Sequence, residues 1–174
     1  MTAVAQQGAY AYIGVGPRLV ILDVTDPTRP VEVGKTAPIS ELAKCVAVAS
    51  GYAYVGDGGG LQLMDVSDRA DPAKVGFYDA PASVSDVAVL GSLAYVAATT
   101  SGLRVVNILN PRQPSEVGFY DTPGLPTVLR CRENTPTSPM GCASMTQPGK
   151  VGSVTMTRTS SGSPSSAQVC GMKP

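Results

Sequence analysis

The chain has 174 residues, 43% of them apolar, which suits one domain with a sizeable core and argues against a wholly disordered polymer. Its formal net charge of zero gives no electrostatic reason to expect nucleic acid or an anionic membrane as partner, and the lack of histidine removes the commonest metal ligand and the commonest general base at neutral pH. No apolar run approaches the roughly 20 residues of a membrane span, and Met1 to Gly8 lacks the basic-then-apolar design of a signal peptide, so neither membrane insertion nor a self-encoded export signal is expected of the chain as written.

Taken in chain order, the segments Tyr12 to Gly34, Tyr54 to Gly76 and Tyr95 to Gly118 repeat one another. Leu19, Leu61 and Leu103 stand 42 residues apart, and so do Asp23, Asp65 and Asn107, Pro30, Pro72 and Pro114, and Gly34, Gly76 and Gly118. A register held over four landmarks defines a repeat. The middle unit reads C-V-A-V-A, S-G, Y-A-Y-V-G, D-G-G-G, L-Q-L-M-D-V, S-D-R-A-D-P and A-K-V-G-F-Y. Each apolar stretch is short, alternating or β-branched and is bounded by Gly, Pro, Asp or Ser, which predicts four strands and three turns. Turn formers this frequent leave no room for helices through the first 124 positions. Four antiparallel strands per unit of this length is the pattern of a β-propeller blade, with a solenoid as the alternative. The predicted fold is therefore all-β: about three four-stranded antiparallel blades of a β-propeller fragment, over residues 1–124, with repeat units at about 9–50, 51–90 and 91–124.

The strings L-V-I-L-D-V-T-D-P at Leu19 to Pro27, L-Q-L-M-D-V-S-D at Leu61 to Asp68 and L-R-V-V-N-I at Leu103 to Ile108, with Y-A-Y-V-G-D and V-G-F-Y-D, resemble LVIVD repeats. The resemblance covers about Ala3 to Gly124. It implies propeller blades of a kind found in bacterial and archaeal proteins that are often exported, and hence an extracellular or cell-surface setting; it implies no reaction. In the usual blade the first strand lies nearest the axis. By that analogy Val46 to Ala49 and Val87 to Leu90 are inner strands, and Val31 to Gly34, Val75 to Tyr78 and Val117 to Tyr120 are outer ones. The turn after the second strand and the connection between blades then share a face that carries Lys44, Asp57, Asp79, Asp86 and Asp121. Any ligand is expected there, with Lys44 and Asp86 at the channel mouth.

Residues 125–174 break the pattern. All seven Tyr and both Phe lie at or before Tyr120, while three of four Cys and four of six Met lie after Gly124. Up to Gly124 there are twelve acidic and eight basic residues, against one and five afterwards, so a body of −4 is joined to a tail of +4. Two explanations stand: a Ser/Thr/Pro-rich disordered extension, or blade sequence read in the wrong frame. Rebuilding each codon from the third base of one residue and the first two of the next permits, from Leu125, x-A-Y-G-V-A-V-S-G-E-Y-A-Y-V-A-D-G-V-R-V-Y-D. Its V-A-V falls 42 positions after Val87 to Val89, and Met140-Gly141 and Met145-Thr146 force Gly and Asp where a blade wants them.

Other motifs read as structure. Cys45, Cys131, Cys142 and Cys170 could pair three ways in an exported protein but show no C-x-x-C metal spacing, and Cys45 beside Val46 reads as a small buried hydrophobe. V-G-D-G-G-G-L lacks the phosphate-loop Lys-Ser/Thr and reads as a strand-to-strand turn. D-V-T-D-P and D-V-S-D lack calcium-loop spacing, and Asn107 and Asn110 replace the third pair of acids, so capping turns explain them. The pairs Tyr10 with Tyr12 and Tyr52 with Tyr54 fall on one side of a strand and suit packing between blades.

No metal or cofactor is implied. The expected function is a non-catalytic binding or scaffold surface for a protein or glycan, within a larger exported or cell-surface protein. The alternative is a propeller-type hydrolase with a metal held near the axis, which needs three or more converging carboxylates. Three blades leave apolar faces and strand edges uncovered, so the isolated fragment is expected to associate with itself.

Overall fold

The computed structural model describes residues 3–122, 128–132, 142–147 and 150–155, and every element among them is a strand. The first blade comprises β1 (Ala3–Gln7), β2 (Tyr10–Val15), β3 (Arg18–Asp23) and β4 (Val31–Lys35). The second comprises β5 (Cys45–Ala49), β6 (Tyr52–Gly56), β7 (Gly60–Asp65) and β8 (Ala73–Asp79), and the third β9 (Val84–Leu90), β10 (Leu93–Ala98), β11 (Gly102–Asn107) and β12 (Ser115–Tyr120). Each blade is a four-stranded antiparallel meander in chain order. The period gives the length of a unit but not its phase. The hairpins set the phase, so the blades run 3–35, 45–79 and 84–120, one strand earlier than the units read from the sequence. At the second blade's first hairpin, Ser50 and Gly51 both take positive φ (52° and 79°), the turn whose twist matches its flanking strands.

β5 lies against both β1 and β9, so the first strands of successive blades adjoin and the outer strands fan away. This is β-propeller geometry, with β4, β8 and β12 exposed along most of their length. Burial follows from it. β6 and β7 are buried on both faces because the middle blade is covered from both sides, whereas β2 alternates between half-buried and buried positions.

Two seams form the core. At the first, Tyr12, Leu19 and Ile21 pack against Ala53, Val55, Met64 and Val66. At the second, Tyr54, Leu61 and Leu63 pack against Ala94, Val96, Val106 and Ile108. The tyrosine pairs serve these seams, with Tyr12 and Tyr54 buried and Tyr10 and Tyr52 half-buried against them. Beyond Gly124, where the sequence predicts an irregular tail, the described residues form β13 (Val128–Arg132), β14 (Cys142–Gln147) and β15 (Lys150–Thr155), a three-stranded antiparallel sheet whose β13 lies against β9. The rest of the tail, with Cys170, lies outside the described residues.

Candidate functional site

One end of the blades gathers the β2–β3, β6–β7 and β10–β11 turns together with the connections between blades. Backbone hydrogen bonds tie these together: Lys44 N–H donates to the Gly56 carbonyl (2.8 Å), Val84 N–H to that of Asp57 (3.0 Å) and Thr99 N–H to that of Ser83 (2.9 Å). The sequence places its candidate residues at this end, and the structure assigns them different environments.

Lys44, just before β5, is exposed, and its ammonium donates to the Ser83 hydroxyl across the seam (2.6 Å). Asp86 occupies the equivalent position of the third blade; it lies inside β9 rather than ahead of it, because a bulge opposite Ala97 and Ala98 lets that strand begin at Val84. Its carboxylate accepts the Val87 N–H (2.9 Å) and lies near enough to Cys45 to act on it electrostatically. Asp79 and Asp121 sit at the outer rim, at the ends of β8 and just past β12. The structure thus joins Lys44 with Ser83 across the seam, sets Asp86 close enough to act on Cys45, and leaves Asp79 and Asp121 at the rim.

Asp57 is not available to a ligand: it is fully buried. One carboxylate oxygen accepts the N–H groups of Gly59 and Gly60 (2.9 Å each), and the other accepts from the Gln62 side-chain amide (2.9 Å). The glycine turn that could be taken for an anion cradle is filled by the chain's own carboxylate. The opposite end carries the Asp-Pro turns. There Asp23, Asp65 and Asn107 each accept the N–H two residues on (2.8, 2.9 and 2.9 Å), and Asp26, Asp68 and Asn110 do the same (2.9, 2.9 and 3.1 Å). The interchange of Asp and Asn follows, because only the oxygen is used. Hydrogen bonds from Thr25, Thr28 and Ser67 hold the carboxyls of Asp23, Asp26 and Asp65 below their ordinary range.

Cys45 is a buried thiol pushed up to about 12, first by burial and then by the charge of Asp86, so it is inert at neutral pH. Among the described residues no group of three or more His, Cys, Asp and Glu could hold a metal ion, and no helix is long and apolar enough to cross a membrane.

The sequence reading missed a clasp at the outer rim. The Tyr78 hydroxyl donates to Glu116 of the next blade, while Arg104 pairs with Glu116 (3.6 Å) and Asp121 (3.3 Å) and covers the Phe119 ring (4.8 Å). Burial and Glu116 together push the Tyr78 phenol up. The available signal was a fixed repeat position occupied in turn by Val20, Gln62 and Arg104.

Fan-like four-stranded sheets, inner strands side by side and repeated Asp-Pro turns define a β-propeller repeat protein. The family model for the LVIVD repeat matches three times, at residues 2–37, 42–80 and 81–122, and the chain belongs to that family. A search of the curated proteins found no match. Among solved structures, the computationally designed Ika4 protein superposes with a TM-score of 0.66 at 12% identity, covering 87% of this chain and 88% of that one. The computationally designed Ika8 protein gives 0.67 at 11% identity, with 88% and 45% covered, and Saccharomyces cerevisiae Sqt1 gives 0.66 at 10%, with 83% and 42% covered. The chain therefore spans less than half of those two proteins. At these identities the likeness concerns the fold alone.

Proposed function

We propose that the chain is a non-catalytic blade module of a larger exported or cell-surface propeller, and that it presents the axis-side loop end as a binding surface for a protein or glycan. The observation that carries this reading is Lys44: an exposed cation at the start of an inner strand, bridging two blades through Ser83, on a frame that the buried Asp57–Gln62 turn holds rigid. Among the described residues the ammonium has one neutral partner, and its other N–H groups suit a carboxylate or hydroxyl on a ligand. Asp79 and Asp121 would contribute only to a ligand broad enough to reach the rim.

The test is biolayer interferometry of the purified chain against a defined panel of acidic peptides and of neutral and carboxylated oligosaccharides. Saturable binding that weakens at least tenfold in Lys44→Ala, with an unchanged thermal melt, supports the reading. Binding indifferent to both Lys44→Ala and Asp86→Asn overturns the assigned surface, and progressive cleavage of a panel member overturns the non-catalytic role.

A further inference from the structure

Asp57 is the only Asp or Asn in the sequence that a glycine follows. Such a pair carries an intrinsic reactivity. The backbone nitrogen after an aspartate can attack the side-chain carbonyl carbon, and a following glycine, with no Cβ, leaves that nitrogen open to approach. The bond from Gly58 N to Asp57 Cγ forms, a Cγ–O bond breaks and one water leaves, which gives a five-membered succinimide. Water then adds to either imide carbonyl. Addition at Cγ restores aspartate, whereas addition at the main-chain carbonyl carbon gives isoaspartate, whose chain runs through the side-chain carbons. Water is the only co-reactant.

The repeat does not require this pair, since the other two blades carry Val15-Gly16 and Thr99-Thr100 at the same register. In the second blade both reacting groups are held in place. The buried carboxylate is directed past Gly58 to the N–H groups of Gly59 and Gly60 (2.9 Å each) and, through its second oxygen, to the Gln62 amide (2.9 Å). The peptide unit that contains the Gly58 nitrogen is tied as well. Its carbonyl, that of Asp57, accepts the Val84 N–H of the next blade (3.0 Å), and the Asp57 N–H donates to the Gly60 carbonyl (3.0 Å). Ring closure needs the carboxyl to turn toward Gly58 and that peptide to rotate, so these bonds must break first.

We propose that Asp57–Gly58 is a latent isomerisation site gated by the β6–β7 turn. It is silent while the turn is closed and reacts when the turn, with its bond to Val84 across the seam, opens locally. The change is then locked in. Isoaspartate lengthens the main chain by one carbon and moves the carboxylate, so the Gly59, Gly60 and Gln62 donors no longer find it where the turn needs it. The site is independent of whatever the loop end binds.

The test incubates the full chain at neutral pH, folded in buffer or unfolded in guanidinium, and follows isoaspartate at residue 57 by peptide mapping with electron-transfer fragmentation, which tells the two isomers apart. Isoaspartate is expected to form at least about tenfold faster in the unfolded chain, because the folded chain reacts only from its opened fraction. Gln62→Val places in the second blade the residue that the first carries at that position, Val20, and removes one donor from the carboxylate. In buffer it is expected to react at least about threefold faster than wild type, and in guanidinium at the same rate. Gly58→Ala is the chemical control. Its Cβ would meet only the end of the exposed Glu41 side chain, which can move aside, and in guanidinium it is expected to slow the reaction at least about fivefold. Equal rates in folded and unfolded wild type would overturn the gate, and so would a folded Gln62→Val chain that reacts like wild type. Unfolded wild type without isoaspartate at residue 57, or unfolded Gly58→Ala as fast as wild type, would overturn the site itself.

Discussion

Replacing Asp57 tests whether its carboxylate is a structural part of the turn. In Asp57→Ala three donors lose their acceptor: the Gly60 N–H and the Gln62 amide, both buried, and the half-buried Gly59 N–H. Each unsatisfied buried donor costs about 1 to 3 kcal/mol. Some relaxation of the turn is expected, so the loss should be about 3 to 5 kcal/mol in all. Asp57→Asn should behave differently. Its oxygen keeps both glycine N–H bonds, and its NH2 group meets Gln62, whose own side-chain oxygen is buried without a partner. A flip of the Gln62 amide lets that oxygen accept from Asn, so the loss should stay near 1 kcal/mol. Urea denaturation followed by circular dichroism reads both. With a slope of about 1 to 3 kcal/mol per molar urea, the alanine midpoint should fall by more than about 1 M and the asparagine midpoint by much less. Equal, small losses in the two variants would refute the assignment and return Asp57 to the set of ligand-accessible residues.

Gly76→Ala should destabilise the chain by about 2 kcal/mol or more, because the obstructing atom is the Pro111 carbonyl and backbone cannot swing aside; a melt within about 2 °C of wild type would count against the seam geometry. Cys45 gives a pH signature. Its folded pKa of about 12 lies above the ordinary 9.0, so its contribution is fully present below about pH 9 and is lost as pH rises toward 12. Stability measured between about pH 8 and 10 should therefore fall less in Cys45→Ala than in wild type. Mass-mapped alkylation at about pH 8 should leave Cys45 unmodified until guanidinium is added, since the buried thiol supplies almost no thiolate. Lys44→Ala, at an exposed position, should leave the melt within about 0.5 kcal/mol of wild type while weakening ligand capture.

Most of the fold is legible because a propeller blade is built from local hairpins. Alternation, Gly and Asp-Pro turns fix each hairpin within about ten residues, and a 42-residue repeat makes each reading check the others. The first inner strand, A-V-A-Q-Q at Ala3–Gln7, is hard to read from the sequence because it alternates weakly and buries only the small Ala3. Its assignment depends on pairing with β2 through the turn at Gly8, where φ is 60°. The candidate site was half legible. Repeat position alone assigns Lys44 and Asp86 equivalent places in successive blades, but the burial of Asp57 depends on how its carboxylate folds back over two glycine amides, and sequence spacing does not report that. Ser83 was invisible for the opposite reason: it sits in a connection between blades, where the repeat pattern dictates nothing.

On the proposed reading, the same contrast separates positions held by the fold from positions left for a ligand. Positions that recur in all three blades, such as the Leu at 19, 61 and 103 or the Asp or Asn at 23, 65 and 107, are occupied with seams and turns. Their side chains are spent on the fold and have little left to offer a ligand. Positions where the blades differ at a fixed register carry what the repeat does not require. The third-strand position facing the outer strand holds Val20, Gln62 and Arg104, and each meets a different neighbour: Lys35 across the ladder, the Asp57 carboxylate, and the Glu116–Asp121 pair. The position before the inner strand core holds Lys44 in one blade and Asp86 in the next, opposite charges at one repeat position. Gln62 and Arg104 already have partners within the chain, whereas among the described residues the Lys44 ammonium reaches one neutral hydroxyl. By that reasoning the departure from the repeat at Lys44, rather than any recurring motif, is where a ligand is expected to be recognised.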